Sequence, residues 1–375
     1  MSEEKNWLAV VEEIGPGFAE CAAERDANDT FIEAHYPVLK DKGLITAQIP
    51  LALGGGGASH ADMCAILRRL GYYDGPTALA LSMHQHLIAA QVFNHVHGKP
   101  TPVLDKVVAG DLVLISTGAR DWLQSNGAMT KVEGGYEMTA RKAFASGSPA
   151  GDVAVTSAAY EHPEEGWQVL HFGVPMSAKG VRIEIDWHAH GMRSTGSHTI
   201  VFERVFVPEQ AVALARPRDR FHPVWNVVLT VALPLICSAY VGIADRAVEI
   251  AMKHGARRSG SSTTQWSAGE MISNLHVASA CLKQMVRLAG NHTFTPSVEL
   301  TSEVLALKTA TVEAAQRVCE LAIETAGGPG YYRRTGLERL LRDVRAGHFH
   351  PLARKPQVEF TGRLALGLDP VDLRG

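Results

Sequence analysis

The sequence predicts an α+β protein with helices and strands segregated along the chain: helical over residues 1–110, β over 111–215 and helical again over 216–375. Three observations carry this expectation. Apolar residues recur at intervals of three and four through the first hundred positions. The pattern turns to alternating and β-branched runs from Leu112 to Pro208, and the helical interval returns after the polar "RPRDR". At 375 residues the chain is too long for one simple core, and ~100–200 residues per domain suits two or three packed regions.

In the first segment, "WLAVVEEIGPGFAECAAE", "FIEAHYPVLKDKG" and "HADMCAILRRLGYY" each place apolar residues on one helical face. Gly43, after Lys40 and Lys42, reads as a helix stop, and "LGGGGASHAD" reads as a loop into the next helix. Strands are expected at "LVLIST", "GAMTKVEGGYEMTARKAFAS" with a hairpin turn at Gly134-Gly135, "VAVTSAAY", "WQVLHFGVP", "VRIEI" and "TIVFERVFVP". The last segment predicts long helices near 224–257, 267–290 and 297–326, the third with Thr295 as its cap and Pro296 at its first position.

Composition excludes several classes of function. Hydrophobic content of 46%, charged content of 20% and a net charge of -3 fit neither a disordered chain nor a binder of nucleic-acid phosphates. The run "VVLTVALPLICSAYVGIA" at 227–244 approaches the ~20 residues a bilayer requires, but Pro234, Ser238 and Tyr240 make it a buried helix. No membrane partner is expected. The acidic start "MSEEKNWLAVVEEIG" is no signal peptide, so a cytoplasmic protein is expected. Cys21, Cys64, Cys237, Cys281 and Cys319 lie apart in apolar helical stretches without any Cys-x-x-Cys, the pattern of buried free thiols.

Three separated stretches resemble, in order, the acyl-CoA dehydrogenase superfamily of flavoproteins. "GLITAQIPLALGGGG" is similar to its N-terminal "v-P-e-x-x-G-G-x-G" segment, and "GMRSTGSHTIVFERVFVPE" at 191–209 to its "G-x-R-x-S-x-T, then F-x-x-V-x-V-P" signature. "ETAGGPGYYRRTGLERLLRD" is similar to its "GGxGY, then LERxxRD". The resemblance implies an N-terminal helical domain, a middle β-barrel-like domain and a C-terminal four-helix bundle, assembled as a homotetramer, a dimer of dimers. It also implies a flavin between the middle and last domains. By position, Ser116 of "ISTG" and Ser146 of "KAFASGS" match flavin-contacting hydroxyls, and Phe144 matches the aromatic wall. Arg257 with Gly327, Gly328 and Gly330 matches contacts to a neighbouring subunit's flavin. The family's "R-x-x-F" reads "RRSG" at 257–260, so FMN is open beside FAD.

The chemistry departs from the family at one position. A dehydrogenase of this kind removes a proton beside a thioester, which requires a base over the substrate. The family carries a Glu seven residues beyond its Arg-Asp pair; here Val344 to His350 follow Asp343 and Pro351 comes next. The alternative base position on the first bundle helix falls on Ala232, and Glu359 would need a register shift that "LERLLRD" does not favour. Imidazole stands there instead: His348 and His350 flank Phe349 before Pro351, which is expected at a helix start, and His84 and His86 form a second pair in "LSMHQHL". Residues two apart on a helix do not face each other and no carboxylate joins them, so no metal site is expected.

This combination resembles the branch of two-component flavin monooxygenases that includes dibenzothiophene monooxygenases and hydroxyphenylacetate hydroxylases. "FASGSPAGD" at 144–152 is similar to that branch's "S/T-G-S-x-x-A-D". The resemblance implies Ser146, His350 or His348, and His84 or His86 around a flavin, donating hydrogen bonds and excluding water, with a small-molecule substrate and a flavin reductase as partner. Two alternatives stand beside it: an acyl-CoA or acyl-carrier α,β-dehydrogenase with a His base acting on an acyl thioester, and a non-catalytic scaffold that binds a ligand in the old pocket.

Overall fold

The computed structural model describes residues 5–118 and 121–371. The first six helices are α1 (Trp7–Glu20), α2 (Ala22–Ala27), α3 (His35–Asp41), α4 (His60–Tyr73), α5 (Gly75–Val96) and α6 (Pro102–Gly110). Local chemistry sets their starts. The Asn6 side chain accepts from Ala9 N at 3.0 Å, and Ser59 and Asp62 form a reciprocal capping box at α4. Asp74 caps α5 by accepting from Thr77 N at 2.9 Å, with Pro76 inside the first turn.

Eight strands follow among the described residues: β1 (Leu114–Ser116), β2 (Ala128–Val132), β3 (Gly135–Lys142), β4 (Val153–His162), β5 (Gly166–Pro175), β6 (Val181–Glu184), β7 (Thr199–Pro208) and β8 (Val212–Pro217). They form one mixed sheet in the order β6-β7-β3-β2-β4-β5-β8, with β1 parallel to β4 and no pairing of β6 with β8 to close a barrel among the described residues. The expected hairpin is β2–β3. Gly134, at φ +75°, occupies its turn, while Gly135 already pairs with Val132. Strand β8 was not expected from the sequence, because "VALARP" is short and runs into the polar "RPRDR"; its alternation shows only once it pairs with β5.

The remaining helices are α7 (Val224–Gly255), α8 (Ser262–Ala289), α9 (Val298–Ala326), α10 (Leu337–Val344) and α11 (Arg354–Ala365). The cap of α9 is Ser297, whose hydroxyl accepts from Leu300 N at 3.1 Å, so Thr295 and Pro296 precede the helix. Pro351 likewise lies in the turn before α11, whose N-cap is Ala353. The apolar run at 227–244 is the interior of α7. Of the most apolar window in Val224–Arg258, 89% is buried, as expected of a core helix. All five cysteines are free; Cys64, Cys237 and Cys319 are buried, Cys281 is half-buried and Cys21 is exposed.

Two large apolar clusters organise the molecule, and they do not follow the helix–strand–helix division. One joins α1, α3 and α4 to the sheet and takes Val231, Leu235 and Ala239 from α7. The other fills the bundle of α7, α8 and α9 with α10 and Phe360. Helix α7 therefore faces both. Its approach to α4 is backbone to backbone. A Cβ on Gly242 would sit 1.9 Å from Arg68 O, and one on Gly71 would sit 2.4 Å from Ala239 O. The Arg68 guanidinium closes the flank on Asp245 at 2.7 and 2.9 Å.

Two predictions follow from this packing. Gly242→Ala should force α4 and α7 apart and cost at least ~1–3 kcal/mol, read as a lowered denaturant midpoint. His35, His60, His84, His86 and His292 are all buried, and burial pushes the pKa of each down to about 4, or about 3 for His292. The unfolded chain binds these protons below pH ~6.5 while the folded one does not. Stability should hold above that pH and fall steeply towards pH 4; a denaturant midpoint constant from pH 7 to pH 5 would contradict it.

Candidate functional site

Two of the similar stretches are physically one joint. Gly191 lies against the bundle so closely that a Cβ would meet Arg342 O at 2.2 Å. Met192 N donates to Asp343 Oδ1 at 2.5 Å, and the Arg342 guanidinium donates to Asp26 at 2.6 and 3.0 Å and to His190 O at 3.2 Å. Arg193 donates to Ala189 O at 2.9 Å and Asp26 O at 3.3 Å, so it serves the same joint. Burial pushes the Asp343 carboxyl up to about 7.

Ser146 stands at the head of a chain of hydroxyls. Thr195 Oγ1 donates to Met192 O at 2.9 Å, Thr195 Oγ1 and Ser197 Oγ are 2.6 Å apart, and Ser197 Oγ and Ser146 Oγ are 2.8 Å apart. A carbonyl cannot donate, so the Thr195 proton is committed to Met192, the Ser197 proton to Thr195 and the Ser146 proton to Ser197. Ser146 thus keeps only lone pairs for a further partner, an acceptor where a donor was expected. Its loop lies on β1: a Cβ on Gly147, at φ +77°, would meet Tyr36 Oη at 2.5 Å and Ile115 Cδ1 at 3.6 Å. Phe144, at φ +60°, is exposed beside this loop, and its ring meets Trp187 edge to face at 5.7 Å.

The α5 histidines separate. Leu114 N donates to His84 Nδ1 at 2.9 Å and His84 Nε2 donates to Ile45 O at 2.9 Å, so both ring nitrogens of His84 are committed to backbone. It anchors β1 and has no nitrogen free for a substrate. His86 Nε2 lies 3.3 Å from Ser116 Oγ, which joins a helix of the first segment to the end of β1.

The tail histidines separate too. His348 Nε2 donates to Gln316 Oε1 at 2.6 Å on α9. His350 Nε2 is 2.6 Å from the Tyr240 hydroxyl of α7, and Lys308 Nζ donates to His350 O at 2.9 Å and Leu352 O at 3.1 Å. Burial, then the Lys308 cation and His86, push the His350 pKa down to about 3. Glu359 is exposed on α11. None of the hydrogen-bond partners found for Ser116, His86, Ser146 and His350 is a carboxylate.

Buried cations anchor the loop between β1 and β2. Lys142 Nζ pairs with Asp121 and donates to Asn126 O and, at 3.3 Å, to Ser125 Oγ. The buried Arg216 guanidinium donates to Leu123 O at 2.8 Å, Asp121 O at 3.0 Å and His171 Nε2 at 2.9 Å. Trp122 of this loop meets Phe221, just ahead of α7, edge to face at 6.3 Å. Sequence reasoning missed Lys142, Arg216, Lys308 and Tyr240. A lysine on the apolar face of "VLALKTATV" was the available signal for one of them.

Two family models match: the acyl-CoA dehydrogenase N-terminal domain over residues 9–97 and the acyl-CoA dehydrogenase C-terminal domain over 235–355. The chain belongs to the acyl-CoA dehydrogenase family. It is 28% identical over 369 residues to the putative acyl-CoA dehydrogenase YdbM of Bacillus subtilis, covering 93% of each chain. It is 28% identical over 263 residues to the probable FMNH2-dependent monooxygenase SfnC of Pseudomonas putida, covering 67% of this chain and 62% of that one. Among solved structures it is similar to KijD3 in complex with FMN and a dTDP-amino-keto sugar, with a TM-score of 0.86, 25% identity and coverage of 96% and 94%.

The residues fit the flavin that the family implies. An exposed aromatic face at Phe144, a lone-pair donor at Ser146 and neutral hydroxyl and imidazole groups at Ser116 and His86 suit a planar ring with N–H and C=O edges. Arg257 is exposed beyond α7, and a Cβ on Gly328 would meet nothing within 4 Å; Gly327, at φ +67°, lies under Arg258, while Gly330 is buried. Arg257 lies ~25 Å from Tyr240 by the rise of α7, so it is remote from His350 within one chain.

Removing one partner of the buried Lys142–Asp121 pair should cost ~3–5 kcal/mol. Lys142→Met is therefore expected to lower the denaturant midpoint and to open the 121–126 loop to limited proteolysis. The double variant Lys142→Met/Asp121→Asn should recover part of that loss.

Proposed function

We propose that this protein is a flavin-dependent oxidoreductase of the oxygen-activating kind, using reduced FMN delivered by a separate reductase to oxygenate a small organic molecule. The observation that carries the reading is His350: the position where the family holds its glutamate base presents a half-buried neutral imidazole followed by Pro351. A reduced flavin bound there supplies the electrons for oxygen activation. The chain's part is to hold the ring against Phe144, accept from an N–H edge at Ser146, donate from neutral imidazole and keep water out. Buried neutral donors meet developing negative charge without a reorganisation cost. The likeness to an FMNH2-dependent monooxygenase and to an FMN-binding structure supports the same reading.

Arg257, remote from His350 in one chain, and the Gly327–Gly330 turn fit a neighbouring subunit's cofactor, so the enzyme is read as a homo-oligomer. A second reading is favoured by the similarity to YdbM: a dehydrogenase with His350 as base. An imidazole whose pKa is pushed down to about 3 is a weak proton acceptor at neutral pH, which argues against it.

Given reduced FMN and oxygen, the purified protein should convert a member of a panel of sulfur, nitrogen and aromatic compounds to an oxygenated product. Bleaching of oxidised bound flavin by an acyl thioester without added reductant would overturn the proposal in favour of the dehydrogenase. His350→Ala should lower product formation ~10²–10³-fold, the worth of one transition-state donor, and raise free peroxide.

A further inference from the structure

The contact between Tyr240 and His350 decides something the family likeness leaves open, namely which nitrogen of His350 carries the proton. Tyr240 is wholly buried in the middle of α7, and burial raises its pKa well above 10, so its hydroxyl keeps its proton. That hydroxyl lies 2.6 Å from His350 Nε2 and has no other partner among the described residues. A neutral imidazole has one N–H. Were it on Nε2 and aimed at Tyr240, the phenol proton would be left buried without an acceptor, which the fold disfavours. With Tyr240 as donor, Nε2 accepts and the imidazole proton sits on Nδ1, which has no protein partner among the described residues.

We propose that Tyr240 is a positioning residue that locks His350 in its Nδ1–H tautomer, so that the partly exposed ring presents a hydrogen-bond donor, and not a base, to whatever occupies the site. Lys308 completes the device. It is buried, and its Nζ grips the carbonyls of His350 and Leu352 on both sides of Pro351, fixing the height of the ring over Tyr240. Its cation also opposes a second proton on the ring, as does His86. Gly347 admits the arrangement, since a Cβ there would press on Val312 at 2.8 Å and on the Tyr240 ring at 3.4 Å. The tautomer itself follows from the protein alone. Its use as a donor rests on the oxygen-activating reading above.

The test begins with cofactor-free protein labelled with 15N-histidine, the His350 signals being assigned by their loss in His350→Gln. Wild type should show a protonated Nδ1 and a bare Nε2; an Nε2–H pattern would overturn the proposal without any variant. In Tyr240→Phe, which removes only the hydroxyl, the signals should move towards Nε2–H, and an unchanged pattern would also overturn it. The second readout is the split between oxygenated product and peroxide with reduced FMN. Tyr240→Phe should bind reduced FMN within about twofold of wild type yet lower the product-to-peroxide ratio about tenfold. If no substrate is oxygenated by wild type, the functional reading fails while the tautomer result stands. If wild type oxygenates and the variant's ratio is unchanged, the positioning role fails alone.

Discussion

The crossing of α4 and α7 at Gly71 and Gly242 is the constraint on which the rest of the molecule depends. Side chains at either glycine would separate two backbones that touch, and α7 contributes to both apolar cores. Fixing α7 against α4 sets the height of Tyr240, two residues before Gly242, and with it the turn that carries His350. Asp245 and Arg68 flank the contact as a bidentate pair, which keeps the helices from sliding. From the other side the joint between Met192 and Asp343 ties the sheet to α10, so the turn after α10 is held from two directions.

In this turn and in the loop between β1 and β2, cations have been moved behind the surface. Lys142, Arg216 and Lys308 are buried, and they spend most of their hydrogen bonds on backbone carbonyls and the rest on Asp121, Ser125 and His171. What faces outward is hydroxyl and neutral imidazole. Such a surface is poor at removing a proton from carbon, which requires a group that gains stability by taking one up. It is well suited to holding a reactive oxygen species by hydrogen bonds in a low dielectric, where each fixed dipole counts for more than in water. The same burial that makes His350 a weak base keeps it a single, oriented donor.

The polarity of hydrogen bonds runs through this site in fixed directions, each set by a carbonyl or by a phenol that must donate. Met192 O orients Thr195, Ser197 and Ser146 in turn, and Tyr240 orients His350. Ser146 therefore accepts and His350 donates. A list of residue types near a cofactor would have left both open.

The helix–strand–helix order, the ends of most elements and the family were legible in the sequence. Periodicity, capping chemistry and short motifs are local, and each is decided by residues a few positions apart. So was the loss of the glutamate base, since counting from Asp343 to Pro351 requires only the chain itself. Strand β8 was not legible, because its pattern has meaning only beside β5. Nor was the sorting of the histidines. His84 and His86 are alike in sequence, yet one is bound by Ile45 and Leu114 and the other meets Ser116. The tautomer of His350 was still further out of reach, since it depends on a phenol 110 positions away. A residue's type is written in the sequence, while which of its atoms is left to act depends on the partners that folding brings to the others.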